Sequence, residues 1–183
     1  MHTLNQTLFL DLNTYAGHNT TLDTVMAAAA EGMPYLFIAL LFVLWFTHRR
    51  DEALYAGYAT TLGVLLNQII GLFVHHNRPF MDHLGTTLLA HIPENSFPSD
   101  HTTFTLSIAL MLLTFRSTRL IGSIATLLAL WCGLARIYGG VHYPFDILGS
   151  IAVALVATGI IAVLRSRLAG LNYWIIGVWN AVF

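Results

Sequence analysis

The chain has 183 residues, of which 56% are hydrophobic and 9% charged, against about 25% charged in soluble domains. Eight cations and nine acids give a formal net charge of −1, so no basic field for nucleic acid exists, and the apolar excess excludes a water-facing globule. What remains is an all-α integral membrane protein, expected as a single domain over residues 1–183.

In chain order, Leu4, Leu8, Leu12 and Tyr15 form a helical stripe, with Asn5, Asp11 and Asn13 off it. That pattern predicts an N-terminal helix lying on the membrane surface. The start lacks the cationic region of a signal peptide, so no cleavage is expected. Five apolar stretches follow, at 24–47, 53–76, 100–115, 119–138 and 145–164. A spanning helix needs about 20 such residues, so the third is short and the bundle has about five transmembrane helices. Cys132 lies in an apolar run and, being the only cysteine, is read as a buried thiol. The tail 171–183, L-N-Y-W-I-I-G-V-W-N-A-V-F, is too short to span. It predicts a short apolar C-terminal segment at the interface, with Trp174 and Trp179 at headgroup level.

All eight cations are arginines. Arg49 and Arg50 follow the first span, Arg116 and Arg119 the third, and Arg165 and Arg167 the fifth. Alternation puts these three places on one side, and the positive-inside rule makes that side the cytoplasm. Arg78 and Arg136 fall at the opposite ends of spans, where that rule would not put them, and intramembrane ionisable groups are functional candidates. Taken singly, each is equally an arginine snorkelling to headgroups.

Three polar clusters share the outer face: H-H-N-R-P-F at 75–80, P-S-D-H at 98–101, and A-R-I-Y-G-G-V-H-Y-P-F-D at 135–146. Arg78 and Arg136 offer forked donors suited to phosphate oxygens. Ser99 and His101 open the third span, where unsatisfied N–H groups face an anion. His142 and Asp146 are four apart, with Pro144 placed to start a helix between them. That spacing lets the carboxylate hold one imidazole nitrogen and leave the other free to attack. A nucleophilic histidine, a second histidine as acid and a cationic cradle make a phosphoryl-transfer site. Neither H-x-x-x-H nor a carboxylate cluster is present, so no metal or cofactor is expected.

Arg78-Pro79, Pro98-Ser99-Asp100-His101, and Arg136, His142 and Asp146 at their spacing resemble the signature K-x6-R-P, P-S-G-H, S-R-x5-H-x3-D of the type 2 phosphatidic acid phosphatase (PAP2) superfamily. The P-S-D-H variant and compact chain are similar to its BcrC-type undecaprenyl-diphosphate phosphatases. The resemblance implies that His142 attacks phosphorus to give a phosphohistidine, oriented by Asp146. His101 protonates the leaving oxygen and then activates water, while Arg78, Ser99 and Arg136 bind phosphate oxygens. It implies a polyprenyl diphosphate substrate and a multi-pass place in the bacterial inner membrane with the site facing outward. Phosphatidate or phosphatidylglycerophosphate hydrolysis, and a non-catalytic lipid-phosphate binder or transporter, are the alternatives.

Two positions depart from the pattern: Gly71 stands where the family lysine would fall, and Ala135 replaces the serine before Arg136. Asp100, in place of glycine, is expected to tune His101 or pair with an arginine. Glu31, Asp100 and Asn67 are candidates for supporting positions, with Glu31 either against Arg78 or Arg136 or simply at the interface. His75 and His76 are read as interfacial residues, and M-D-H-L-G-T-T-L-L-A (81–90) as a roof over the site.

Overall fold

The structure, a computed structural model, describes residues 2–182; these hold six α-helices, one 3-10 turn and no strand. The helices are α1 (His2–Asn13), α2 (Thr20–Phe46), α3 (Arg50–Gly71), α4 (Asp100–Leu113), α5 (Arg119–Tyr138) and α6 (Pro144–Val182), with the turn at Pro79–Asp82. By length and apolarity α2, α3, α5 and α6 can each cross a membrane. The third expected span, α4, is too short by that measure: its 14 residues rise only about 21 Å. It is instead the central helix, walled by its neighbours, with Thr102, Thr103, Thr105 and Ser107 all buried.

Antiparallel packing of α3 on α4 is fixed by polar contacts inside the bundle. Thr60 Oγ1 donates to the Phe104 carbonyl at 2.9 Å, and Asn67 Nδ2 donates to Thr103 Oγ1 at 3.0 Å. The α4–α5 contact depends on a missing side chain. A Cβ on Gly122 would lie 2.6 Å from the backbone nitrogen of Leu113 and 2.9 Å from the Leu112 carbonyl carbon.

Three expected elements differ. The second span ends at Gly71 rather than at residue 76, because the segment beyond it is taken into main-chain bonds by Asn95 and must extend into Arg78-Pro79. The packed face of α1 is not the leucine stripe. Asn5, Phe9 and Asn13 are buried, while Leu4, Leu8 and Tyr15 stay exposed. Asn5 Oδ1 accepts the Phe145 N–H at the start of α6, and Asn13 Nδ2 donates to the Tyr138 carbonyl at the end of α5. These side chains answer helix-end groups that have no intrahelical partner, which is why a polar face packs inward.

The tail is no separate segment, since α6 runs unbroken for 39 residues, about 58 Å, or twice a hydrocarbon core. Its last part docks where α2 meets α3. Asn172 donates to Asp51 and accepts from Tyr58, and Trp179 packs edge-on against Trp45 and Phe46. The same end of the bundle gathers arginines: Arg49 donates to the Ser117 carbonyl, Arg50 to Asn180, and Arg165 to Thr114.

Gly122→Ala is expected to destabilise the bundle by about 1–3 kcal/mol through overpacking against the α4 backbone. Gly159→Ala, where a Cβ meets nothing within 4 Å, is the control. Thermal unfolding in detergent should lower the midpoint of the first variant alone.

Candidate active site

The ends of α3, α4 and α5, together with the turn into α6, surround a polar cavity of about 270 Å³ at the end of the bundle opposite the arginine-rich one. Arg78, His101, Arg136 and His142 all reach its wall, so the three distant clusters converge. The turn between α5 and α6 makes this convergence possible. Gly140 has φ of 81°, and a Cβ there would meet the Thr86 carbonyl at 2.4 Å. Val141 N donates back to the Arg136 carbonyl, which sets Arg136 and His142 on the same side.

Arg136 is 2% exposed, and its Nε and Nη2 have no hydrogen-bond partner among the described residues. Arg78 is 4% exposed. Its Nη1 donates to the Val141 carbonyl at 2.9 Å and lies 3.2 Å from His142 Nε2, while Nη2 donates to Glu94 at 3.1 Å. A guanidinium can only donate, so Nε2 of His142 accepts from Arg78 Nη1 at the cavity wall and the proton sits on Nδ1. Burial holds this imidazole down to about 3, against the opposing pull of Asp146, so it is neutral at physiological pH.

On the other side of the His142 ring the expected dyad contains a third member. Nδ1 is 3.5 Å from Asp146 Oδ2 and 3.3 Å from Ser96 Oγ, and Ser96 in turn donates to Oδ2 at 2.5 Å. The proton on Nδ1 therefore reaches the carboxylate through the Ser96 hydroxyl. Tyr143 N donates to Oδ2 as well, at 2.8 Å.

His76, read from sequence as interfacial, lies 2.9 Å from Asp146 Oδ1 through Nδ1. The reading failed because it placed His76 on a helix; in an extended segment adjacent side chains alternate, and His75 points out while His76 points in.

The remaining expectations divide. Asn67 is buried and donates to Asp100 Oδ1 at 2.8 Å, and Gln68 donates to Oδ2 at 3.2 Å. Asp100 is thus held by α3 amides, not by His101 or an arginine. Ser99 is fully buried, but its hydroxyl accepts from Thr102; Pro98, Asp100 and His101 form the wall around it. Glu31 is exposed on α2; it makes no salt bridge to Arg78 or Arg136 among the described residues, although its charge acts on Arg136 from a distance. The rest of the wall comes from His91, Glu94, Asn95 and Phe97 rather than from 81–90. That earlier stretch is pinned elsewhere, with Leu88 N donating to the Gly139 carbonyl and Thr86 N to Asn13. Burial, aided by the charge of Arg78, keeps the His91 imidazole below its ordinary range. Gly71 leaves its space to Asn95, whose Nδ2 would be 3.3 Å from a Cβ there. Among the described residues no three His, Cys, Asp or Glu side chains are grouped to hold a metal ion.

A polar cavity lined by two buried guanidiniums and two imidazoles, built on helix ends of a membrane bundle, has the chemistry that phosphoryl transfer needs. Residues 52–169 match the PAP2 superfamily, and the chain belongs to that family. It is 36% identical to the undecaprenyl-diphosphatase BcrC of Bacillus subtilis over 84% of this chain and 80% of that one. The putative undecaprenyl-diphosphatase YbjG of Escherichia coli is 29% identical, covering 85% and 80%. The crystal structure of Aquifex aeolicus LpxE superposes with a TM-score of 0.75 at 27% identity, covering 87% of this chain and 94% of that one.

Asn95 staples the cavity wall. It accepts from His76 N and Phe97 N and donates to the Val74 and Phe97 carbonyls. Asn95→Ala should release the 72–78 segment, seen as faster amide hydrogen exchange there, with a stability loss of about 1–3 kcal/mol.

Proposed function

We propose that this protein hydrolyses undecaprenyl diphosphate to undecaprenyl phosphate and inorganic phosphate, recycling the carrier lipid of peptidoglycan synthesis. In this reading it resides in the bacterial inner membrane with the cavity facing outward. The observation that carries the proposal is the pair of buried guanidiniums with unmet donors, converging with two imidazoles on one polar cavity. Identity to the Bacillus diphosphatase over most of both chains supports the substrate.

The terminal phosphate enters with its oxygens on Arg136 and on the Nη groups of Arg78, exchanging Glu94 for a stronger anion. His142 Nε2, already deprotonated, attacks phosphorus; the P–N bond forms as the bridging P–O bond breaks. His101, held down to about 3 by burial and by the charge of Arg136, takes a proton from the entering diphosphate and gives it to the departing undecaprenyl phosphate. The ring of His142 becomes cationic, and the charge is met through Nδ1–H by Ser96 and Asp146. His101 then takes a proton from water, which attacks the phosphohistidine, breaks P–N and releases inorganic phosphate. Guanidinium donors fixed before the substrate arrives stabilise the charge that spreads over the equatorial oxygens. Ser99 supports this arrangement as the buried residue beneath the wall.

Purified protein in detergent with EDTA is expected to release phosphate from undecaprenyl diphosphate faster than from phosphatidate or phosphatidylglycerophosphate. His142→Ala should abolish release, and Arg136→Ala should lower kcat by about 10²–10³-fold. Release by the His142 variant would remove the phosphohistidine, and a wild type silent on every lipid would leave a binder or transporter. In cells, overexpression should raise bacitracin tolerance, read as growth in the antibiotic, whereas Glu31→Gln should leave phosphate release unchanged.

A further inference from the structure

Asp146 is fully buried and has two oxygens, each committed to a different histidine. Oδ2 serves His142 through Ser96; Oδ1 lies 2.9 Å from His76 Nδ1. Unlike His142, the side chain of His76 is 23% exposed, and it borders a second cavity of about 230 Å³. This cavity lies on the far side of the carboxylate, between Asn5 of α1 and the 74–76 segment, with Phe97 and Phe145 as walls. The backbone of His76 is clamped, since its N–H donates to Asn95 Oδ1 and its carbonyl accepts Ser96 N at 2.8 Å. The ring rests 5.1 Å from that of Tyr143.

We propose that His76 is a positioning residue for the nucleophile: it fixes Asp146 through Oδ1, so that Oδ2 stays on Ser96 and His142, and it links that buried carboxylate to the second cavity. The inference rests on the phosphatase reading given above and extends it to a group that does not touch substrate. Its physical content is competition for one negative charge. A neutral His76 donates one hydrogen bond and leaves the carboxylate's charge to meet the cation that forms on His142. An imidazolium at position 76 draws that charge to Oδ1 and weakens the support at Oδ2. Among the described residues, the ionisable groups facing His76 include Asp146 from α6, Asp82 from the 3-10 turn, the Tyr143 hydroxyl bonded to Asp82, and neighbouring His75, with the neutral Asn5 facing it from α1. Both aspartates favour the protonated ring, the hydrogen bond to Asp146 most of all, so His76 takes up its proton above the ordinary histidine range. The rate should therefore fall as pH drops through that raised value.

The test uses the full-length protein in detergent, with phosphate release from undecaprenyl diphosphate followed from about pH 5 to about pH 8. His76→Phe removes the bond to Oδ1, and kcat should drop by about 10- to 100-fold with KM within about twofold. His76→Gln keeps a neutral donor; it should recover most of kcat and lose the part of the acid limb that His76 imposes. Wild-type kcat in the Phe variant, or a Gln profile superimposable on wild type, would overturn the proposal. If the Phe variant fails to fold, the Gln profile decides. A second arm needs no substrate: in ¹⁵N-histidine NMR spectra, acidification should shift the His142 Nδ1 resonance of wild type but not of His76→Gln, and identical shifts in both would refute the coupling. A wild type inactive on every lipid phosphate overturns the function proposed above, while the NMR arm still decides the role of His76.

Discussion

A guanidinium withdrawn from water with two of its nitrogens unpaired is a costly arrangement, and everything at this end of the bundle follows from it. Burying a charge without a partner is unfavourable by several kcal/mol, so such a group persists only where the surrounding fold is stable enough to hold it. Arg136 sits in the last turn of α5, where its charge is favourable to the helix dipole, and this offsets part of the cost. In the function proposed above, the remainder is met by the phosphate, which is bound without rearrangement because the donors are in place beforehand.

Holding them in place requires rigid surroundings, and the chain supplies these by spending amide side chains on main-chain groups and on one carboxylate. Asn5 and Asn13 close the ends of α6 and α5; Asn95 clamps the segment leading to Arg78; Asn67 and Gln68 hold Asp100 at the start of α4. Asn and Gln suit this work because each carries both donor and acceptor and no charge, so they satisfy buried backbone groups without disturbing the field that the arginines make.

The helices and the convergence of Arg78, His101, Arg136 and His142 were legible in sequence because apolar runs and arginine placement are strong, local signals. Ser96 and His76 were not. Each lies in an irregular segment, where no periodicity says which way a side chain points, and each acts through Asp146, at least 50 residues away in the chain. The face of α1 was misread for a related reason. A leucine stripe is a sound guide when the partner is lipid, but the partner here is a pair of helix ends, whose unmet N–H and C=O groups call for asparagine. The unbroken length of α6 could not be seen either, since the arginines at 165 and 167 read as a span's end while Arg165 in fact packs 4.0 Å over the Phe115 ring.

The shortness of α4 explains the depth of the site. Its first residue, Asp100, meets Asn67, one turn before the end of α3, so the start of α4 lies about 6 Å below the level at which α3 stops. Surrounding helices thus rise past the catalytic end of α4 and form a well rather than a flat surface. The cavity of about 270 Å³ is polar, while Leu72 and Phe73 just beyond α3 and Ile92 beside the wall residue His91 remain exposed. In the function proposed above, the charge of the diphosphate lipid sinks one helical turn to the arginines while its hydrocarbon stays among side chains of its own polarity. On that proposal, Asp100 and His101 stand at the head of an apolar helix because that is the depth to which the headgroup descends.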